Sequence, residues 1–254
     1  MLDFLGIGAQ KAGTSWIYEA LREHPEVRFP GGKEIHFWDT GRPGGIEWYR
    51  SVFAESAPNI RQGEMTPAYA KLPPSDIRDI VALNPRLRAF YVIRDPMERA
   101  WSAALMALER SGLTIDEVSD QWFIDHFRSR GSLERGDYET CLRNWISVLP
   151  TTQLLWLRYE MLCETPLALL EALCRHLGVD ATVYSHKPPA VLGRRVQPTL
   201  SLGQLEPPLK ASVPASPRPA IRDSLLPVLR EIYRPRIASL ERYLRTDFGA
   251  WLAR

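Results

Sequence analysis

The sequence predicts an α/β fold, a central parallel sheet flanked by helices, because strand-like apolar segments alternate along the chain with helical patterns. Alternation of this kind produces βαβ units, and such sheets bind ligands at the carboxyl ends of their strands. We therefore expect the functional residues to follow strands. The three predicted strand–helix pairs are 4–8 with 14–24, 87–93 with a helix reaching 110, and 153–158 with 166–177.

Local signals place the ends of these helices. Asp95 stands where an N-cap is expected and Pro96 at the first helical position. Gly178 is suited to end the helix over 166–177. The pattern over 221–252 predicts two helices broken near Pro235.

Residues 198–220 contain six prolines and predict an irregular loop or lid within a single domain spanning 1–254.

Charge, apolar segments and cysteine spacing argue against several classes of protein. The formal net charge is +2 and 24% of residues are charged, which does not indicate a nucleic-acid binder. No apolar run approaches the ~20 residues of a membrane span, and the first residues lack the basic region of a signal peptide. The three cysteines have no metal-binding spacing, so we expect reduced thiols, no metal and a cytoplasmic protein.

The segment Gly6-Ile7-Gly8-Ala9-Gln10-Lys11-Ala12-Gly13-Thr14-Ser15 follows the first strand and begins a helix. Backbone N–H groups and the positive end of the helix converge in such a loop, which predicts a phosphate site. Lys11 adds a positive charge, and Thr14 and Ser15 add hydroxyls. The loop is not a Walker A motif, because its lysine precedes the last glycine instead of following it.

Residues 10–16, Gln-Lys-Ala-Gly-Thr-Ser-Trp, resemble the 5′-phosphosulfate loop of sulfotransferases that use 3′-phosphoadenosine 5′-phosphosulfate (PAPS). The likeness is to the heparan-sulfate-type and bacterial branch. It implies a P-loop-NTPase-like three-layer fold, PAPS as co-substrate, 3′-phosphoadenosine 5′-phosphate (PAP) as product and no metal. The residues it implies for the donor are Lys11, Ala12, Gly13, Thr14, Ser15 and Trp16.

Two further segments resemble donor-binding motifs of the same family. Residues 91–102 resemble its 3′-phosphate motif, which places Arg94 at a strand end and Ser102 eight residues later. Residues 192–198 resemble the loop that closes over the 3′-phosphate and adenine. There Leu192 replaces a lysine, so Gly193, Arg194 and Arg195 would form this part of the site.

The segment 33–39, Lys-Glu-Ile-His-Phe-Trp-Asp, resembles the one that carries the family's proposed catalytic base. The resemblance implies Glu34 as the base and Lys11 as the catalytic cation. In an extended segment, alternation would put His36 on the same side as Glu34, where it could position or polarise the carboxylate.

Residues 63–69 depart from the family pattern. Met65 stands where these enzymes often carry a lysine, and methionine carries no charge. Either Lys11 is the only catalytic cation, or Lys33 or Lys71 supplies the positive charge that the family's lysine would provide. Glu64 is a candidate to orient the site.

The acceptor is less defined. The small net positive charge argues against a broad basic groove. It favours as acceptor a small metabolite or natural product that bears a hydroxyl or an amine. An ATP-dependent P-loop small-molecule kinase and a non-catalytic PAP- or PAPS-binding protein are the alternatives. The aromatic residues that could line an acceptor pocket are Trp38, Trp48, Tyr49, Trp122, Phe123 and Phe127.

Overall fold

The computed structural model describes residues 1–55, 57–193 and 219–253. Five strands in these residues form one parallel sheet flanked by helices, in the order β2-β3-β1-β4-β5. The predicted fold class is confirmed. The strands are β1 (Phe4–Gly8), β2 (Val27–Arg28), β3 (Arg61–Met65), β4 (Arg88–Ile93) and β5 (Leu154–Arg158).

Helices connect and cover the strands. They are α1 (Thr14–Arg22), α2 (Gly45–Val52), α3 (Pro74–Leu83), α4 (Pro96–Arg110), α5 (Asp120–Arg128), α6 (Arg130–Arg135), α7 (Tyr138–Ile146), α8 (Tyr159–Glu164), α9 (Pro166–Leu177), α10 (Val183–His186), α11 (Leu226–Leu244) and α12 (Gly249–Leu252). Short 3-10 turns cover Pro67–Lys71, Ile115–Glu117, Thr151–Gln153, Ala190–Gly193 and Asp223–Leu225.

Strand β1 lies at the centre of the sheet, between β3 and β4. Close packing across these three strands depends on Gly6, since a Cβ there would lie 2.7 Å from the Phe90 ring and 2.8 Å from Met65. The strand ends at Gly8, directly before the phosphate-loop sequence. The sheet therefore presents that loop beside the carboxyl end of β4.

The predicted helix ends are confirmed at two places. The Asp95 carboxylate accepts a hydrogen bond from Met97 N at 2.8 Å, and Pro96 occupies the first turn of α4. Gly178 ends α9 with a φ of 73°, a left-handed conformation that glycine adopts without steric cost.

The predicted break near Pro235 is wrong. Helix α11 continues through this proline to Leu244 and ends at Arg245, whose φ is 51°. Its buried side chains, Tyr233 and Ile237 among them, stay on one face across the proline. Core packing on both sides thus offsets the single backbone hydrogen bond that proline removes.

Strand β3 carries no apolar run, so its existence did not emerge from the hydrophobic pattern. Residues 194–218, which include most of the predicted proline-rich loop or lid, lie outside the described residues. Among the helices the structure does describe, none is both long enough and apolar enough to cross a membrane.

Candidate active site

The loop between β1 and α1 has the geometry of an anion site. Lys11 and Gly13 both have left-handed backbones, with φ of 69° and 81°. Gly13 is the N-cap of α1, and no side chain caps the helix. The amides of the first helical turn have no partner within the helix, so they can donate to a phosphate. This donor set fits the 5′-phosphate end of PAPS.

The side chains around the loop differ in their exposure. Ala12, Thr14 and Trp16 are buried, whereas Ser15 is exposed and Lys11 is half-buried. Of residues 11–16, Lys11 and Ser15 therefore present the most side-chain surface at this end of the helix.

Arg94 connects the two predicted phosphate motifs. Its guanidinium donates to the Lys11 carbonyl oxygen at 2.9 Å and lies 2.9 Å from Glu98, with its side chain 1% exposed. The Arg94 carbonyl in turn accepts the Tyr138 hydroxyl at 2.7 Å. The end of β4 and the left-handed turn at Lys11 are thus held together by one buried arginine.

Helix α8 packs against both predicted phosphate motifs. A Cβ at Gly13 would lie 2.8 Å from the end of the Leu162 side chain, so a larger residue there would have to displace that side chain. The Tyr159 ring lies under Arg94, with 4.4 Å from the guanidinium carbon to the ring centroid. Cation–π contact of this kind favours a buried guanidinium.

The remaining donor candidates that the structure describes lie on two other elements. Ser102 is buried in the second turn of α4. Gly193 ends a 3-10 turn that packs on α1, where Trp16 Nε1 donates to the Val191 carbonyl at 3.1 Å. Arg194 and Arg195 lie outside the described residues, so their assignment stays a prediction.

Glu34, His36 and Asp39 form a carboxylate–imidazole–carboxylate chain. His36 Nε2 lies 3.5 Å from Glu34, and Nδ1 lies 2.9 Å from Asp39. All three side chains are partly exposed, so an acceptor can reach them. We refer to residues 34–39 as the base turn.

The base turn is not the extended segment considered above. Glu34 and His36 have φ of 63° and 59°, and their side chains meet because both backbones are left-handed. Such conformations are uncommon outside glycine and concentrate at functional sites. Of the six non-glycine residues with positive φ in the described ranges, three are the candidate catalytic residues Lys11, Glu34 and His36.

The two lysines considered as substitutes at Met65 differ in position. Lys33 Nζ contacts the Glu34 carboxylate directly, whereas Lys71 lies 3.3 Å from Glu134 on α6. Met65 itself is buried against Gly6. Lys33 is therefore the cation at the base turn.

A fully buried carboxylate, Glu64, lies behind the base turn. It accepts hydrogen bonds from the Tyr49 hydroxyl at 3.0 Å and the Thr66 hydroxyl at 3.1 Å. Burial raises its pKa from 4.5 to about 7. Sequence reasoning singled out Glu64 only through its place beside Met65. The burial of Glu64 could not be predicted from the sequence, because charged residues are almost never fully buried.

The raised pKa of Glu64 predicts a pH-dependent stability. The folded state binds this proton more tightly than the unfolded state, so its stabilising contribution is complete below pH 4.5 and is lost as the pH rises to about 7. The loss amounts to about 3 kcal/mol of unfolding free energy. In Glu64→Gln this part of the pH dependence should disappear. Urea unfolding of both proteins at pH 5 and pH 8 measures it, and equal slopes against pH in the two proteins would contradict the assignment.

Most of the aromatic residues considered for an acceptor pocket belong to the core. Trp38, Tyr49, Phe123 and Phe127 are buried, and Trp122 is half-buried. Trp48 is 44% exposed, and its ring centroid lies 6.0 Å from that of Phe37, the residue after His36. Of the six, Trp48 therefore offers the most surface near the base turn.

Comparison with known proteins gives consistent matches. The family model described as "Sulfotransferase domain" matches residues 2–195. Human heparan sulfate glucosamine 3-O-sulfotransferase 3B1 is 28% identical, over 96% of this chain and 63% of the relative, and the human 3-O-sulfotransferase 6 is 27% identical, over 96% and 72%. The chain spans about three-fifths of the length of the first of these curated relatives.

Among solved structures, a sulfotransferase from Alicyclobacillus acidocaldarius superposes with a TM-score of 0.72 at 19% identity, covering 99% of this chain and 98% of that one. At this identity the likeness concerns the fold alone.

Proposed function

Because the chain belongs to the sulfotransferase domain family, we propose that it transfers a sulfonate group from PAPS to a hydroxyl or amine of an acceptor. The observation that carries this proposal is the joining of the two phosphate motifs. Arg94 at the end of β4 bonds directly to Lys11 in the loop after β1. A donor with phosphates at both ends of its ribose needs two neighbouring anion sites, and this bond brings the two motifs together.

In this proposal Lys11 and the amides of residues 13–15 hold the 5′-phosphate, and Arg94 and Ser102 hold the 3′-phosphate. Gly193, Arg194 and Arg195 close over the nucleotide. When bound, PAPS supplies a sulfonate whose bond to the bridging phosphate oxygen breaks as the acceptor atom bonds to sulfur. Lys11 stabilises the charge that develops on that leaving oxygen.

Glu34 takes the proton that the acceptor must lose. Its carboxylate lies in the exposed base turn, with Lys33 in contact on one side and His36 on the other. His36 is held in turn by Asp39, which fixes the ring against Glu34.

For the acceptor we propose a small hydroxylated or amine-bearing metabolite or natural product. The formal net charge of +2 supports this class over a long polyanion. The two human relatives are named for 3-O-sulfation of heparan sulfate glucosamine, which supports an oxygen acceptor and makes heparan sulfate the comparison to include in any test.

Thermal shift with PAP, PAPS and ATP–Mg²⁺ tests the donor. We expect PAP and PAPS to raise the Tm by several degrees at saturating concentration, since binding to the folded state alone stabilises it. Lys11→Ala should lose most of this shift. Lys33→Ala is the matched control and should keep it, because Lys33 contacts Glu34 and not the loop.

Stabilisation by ATP–Mg²⁺ alone would favour the kinase and overturn the donor assignment. Release of PAP from PAPS across a panel of phenols, aliphatic alcohols, amines, amino sugars and heparan sulfate then tests transfer. Binding of PAP with no turnover of any of these acceptors would favour the non-catalytic PAP- or PAPS-binding protein. Turnover of heparan sulfate alone would contradict the small-acceptor proposal.

A further inference from the structure

The buried carboxylate Glu64 has no part in the mechanism above, yet it is surrounded by donors. The hydroxyls of Tyr49 and Thr66 bond its two oxygens at 3.0 and 3.1 Å, and the Tyr69 hydroxyl faces the same carboxylate closely enough to influence its charge. The largest influences on its pKa are burial, these three hydroxyls and Asp39, none of which is a cation. The hydrogen bonds that hold this carboxylate near the end of β3 thus come from hydroxyl groups.

Two of these hydroxyl groups belong to side chains that reach the base turn. The Tyr69 oxygen accepts the Phe37 N–H at 2.9 Å and the Trp38 N–H at 3.4 Å. The Tyr49 ring stacks on Phe37, with centroids 4.5 Å apart and planes 18° apart. These contacts therefore fix the chain one and two residues beyond the imidazole of His36.

The direction of the hydrogen bonds depends on the charge of Glu64. A phenol has a single hydrogen to donate. When Glu64 is ionised it only accepts, so Tyr69 gives its hydrogen to the carboxylate and keeps its oxygen lone pairs for the Phe37 amide. A protonated Glu64 carries a hydrogen of its own, which competes with Phe37 N–H for the hydroxyl oxygens around it.

We infer that Glu64 is a positioning residue, which in its ionised form holds the base turn in place through Tyr69. This inference rests on the proposed role of Glu34. The backbone of Glu34 is fixed separately, by the bond from its N–H to the Met65 carbonyl at 3.1 Å. The base turn is therefore attached to β3 directly at Glu34 and through the Tyr69 hydroxyl at Phe37.

The groups that face Glu64 set the pH range of this effect. They are Tyr49 from α2, Thr66 directly after β3, Tyr69 from the 3-10 turn that follows, and Asp39 from the base turn itself. Burial disfavours the ionised carboxylate, as does the negative charge of Asp39, and the pKa of Glu64 rises to about 7. The hold on Phe37 should accordingly strengthen as the pH rises through neutrality.

Amide hydrogen exchange of Phe37, measured by NMR on the full chain, tests the inference without any acceptor. Tyr69→Phe should raise its exchange rate about tenfold or more, the effect of losing one hydrogen bond. Tyr49→Phe is the matched control. It removes a hydroxyl from the same carboxylate but leaves the bond between Tyr69 and Phe37, so Phe37 should stay protected.

A pH series separates positioning from general stability. After correction for intrinsic exchange, Phe37 in the wild-type protein should become more protected between pH 6 and pH 8, and Glu64→Gln should abolish this change. The Ala9 amide, which bonds the Val92 carbonyl in the sheet, serves as reference. Unchanged Phe37 exchange in Tyr69→Phe, a wild-type pH response in Glu64→Gln, or equal acceleration at Ala9 would each overturn the inference.

Activity gives a second readout with any acceptor that the panel identifies. Glu64→Gln and Tyr69→Phe should lower kcat about tenfold and leave the KM for PAPS unchanged, because neither residue touches the nucleotide loop. A raised KM for PAPS with unchanged kcat would overturn the inference. Absence of turnover in the wild-type protein would instead contradict the proposed function, while the exchange measurements would still decide the role of Glu64.

Discussion

Replacing Glu34 with glutamine should lower kcat by about 10²- to 10⁴-fold, the usual contribution of a positioned general base. The substitution keeps the size of the side chain and its ability to accept a hydrogen bond, but it cannot take a proton. Affinity for PAP should stay within about twofold, because Glu34 contacts Lys33, His36 and the Met65 carbonyl, which lie outside the nucleotide loop. Steady-state kinetics and PAP calorimetry measure the two effects.

Glu47→Gln is the control for this experiment. Glu47 is an exposed carboxylate on α2 that pairs with Arg50, so the variant removes the same charge without touching the base turn. Its kcat should match that of the wild-type protein. Unchanged turnover in Glu34→Gln would show that another group accepts the proton.

Replacing Arg94 with methionine should lower the free energy of unfolding by about 3–5 kcal/mol, the usual cost of breaking a buried ion pair from one side. The variant removes the cation beside Glu98 and the donor to the Lys11 carbonyl, and it should also abolish PAP binding. Urea unfolding and calorimetry measure these losses. The double variant Arg94→Met/Glu98→Met should recover much of the stability but not the PAP binding, which separates the two roles.

The chain contains a matched control for this arginine. Arg143 pairs with Glu139 one helical turn away and lies 4.3 Å from the Tyr243 centroid, much as Arg94 lies between Glu98 and Tyr159. The difference is exposure, since the Arg143 side chain is 59% exposed. Arg143→Met should cost less than about 1 kcal/mol. An equally small effect at Arg94 would mean that the buried pair does not stabilise the fold.

Strand–loop–helix units were predictable where local chemistry and tertiary packing agree. Asp95 and Pro96 begin α4 and Gly178 ends α9, because caps act over a few residues of sequence. Strand β3 was not predictable, since its buried residues include Gln62, Gly63 and Glu64, which a hydrophobic pattern does not detect. The helix break predicted near Pro235 is wrong because the packing of α11 outweighs the local tendency of proline to interrupt a helix.

The candidate site was predictable as a set of residues but not as a geometry. Resemblance selected Glu34 and His36, yet their contact involves left-handed backbones, which are uncommon outside glycine and which the sequence does not predict. The burial of Glu64 and the bond from Tyr69 to Phe37 depend on elements far apart in the sequence. A single sequence carries no local signal for such contacts.

Glu64 also relates stability to function. Its ionised form is the less stable one in the folded protein, and it is the form that we infer to hold the base turn. The pH range that favours catalysis would then be the range in which the folded protein is less stable. Such an opposition is common where a site keeps a charge buried.

The central place of β1 in the sheet has a consequence for how the protein is made. Strand β1 precedes both of its neighbours, residues 61–65 and 88–93, so it is not paired on both sides until both have left the ribosome. Pairing over such separations is slow compared with local helix formation. The nucleotide loop can take shape only after Arg94 has been synthesised, and a nascent chain that stops earlier carries the loop sequence without the contact that shapes it.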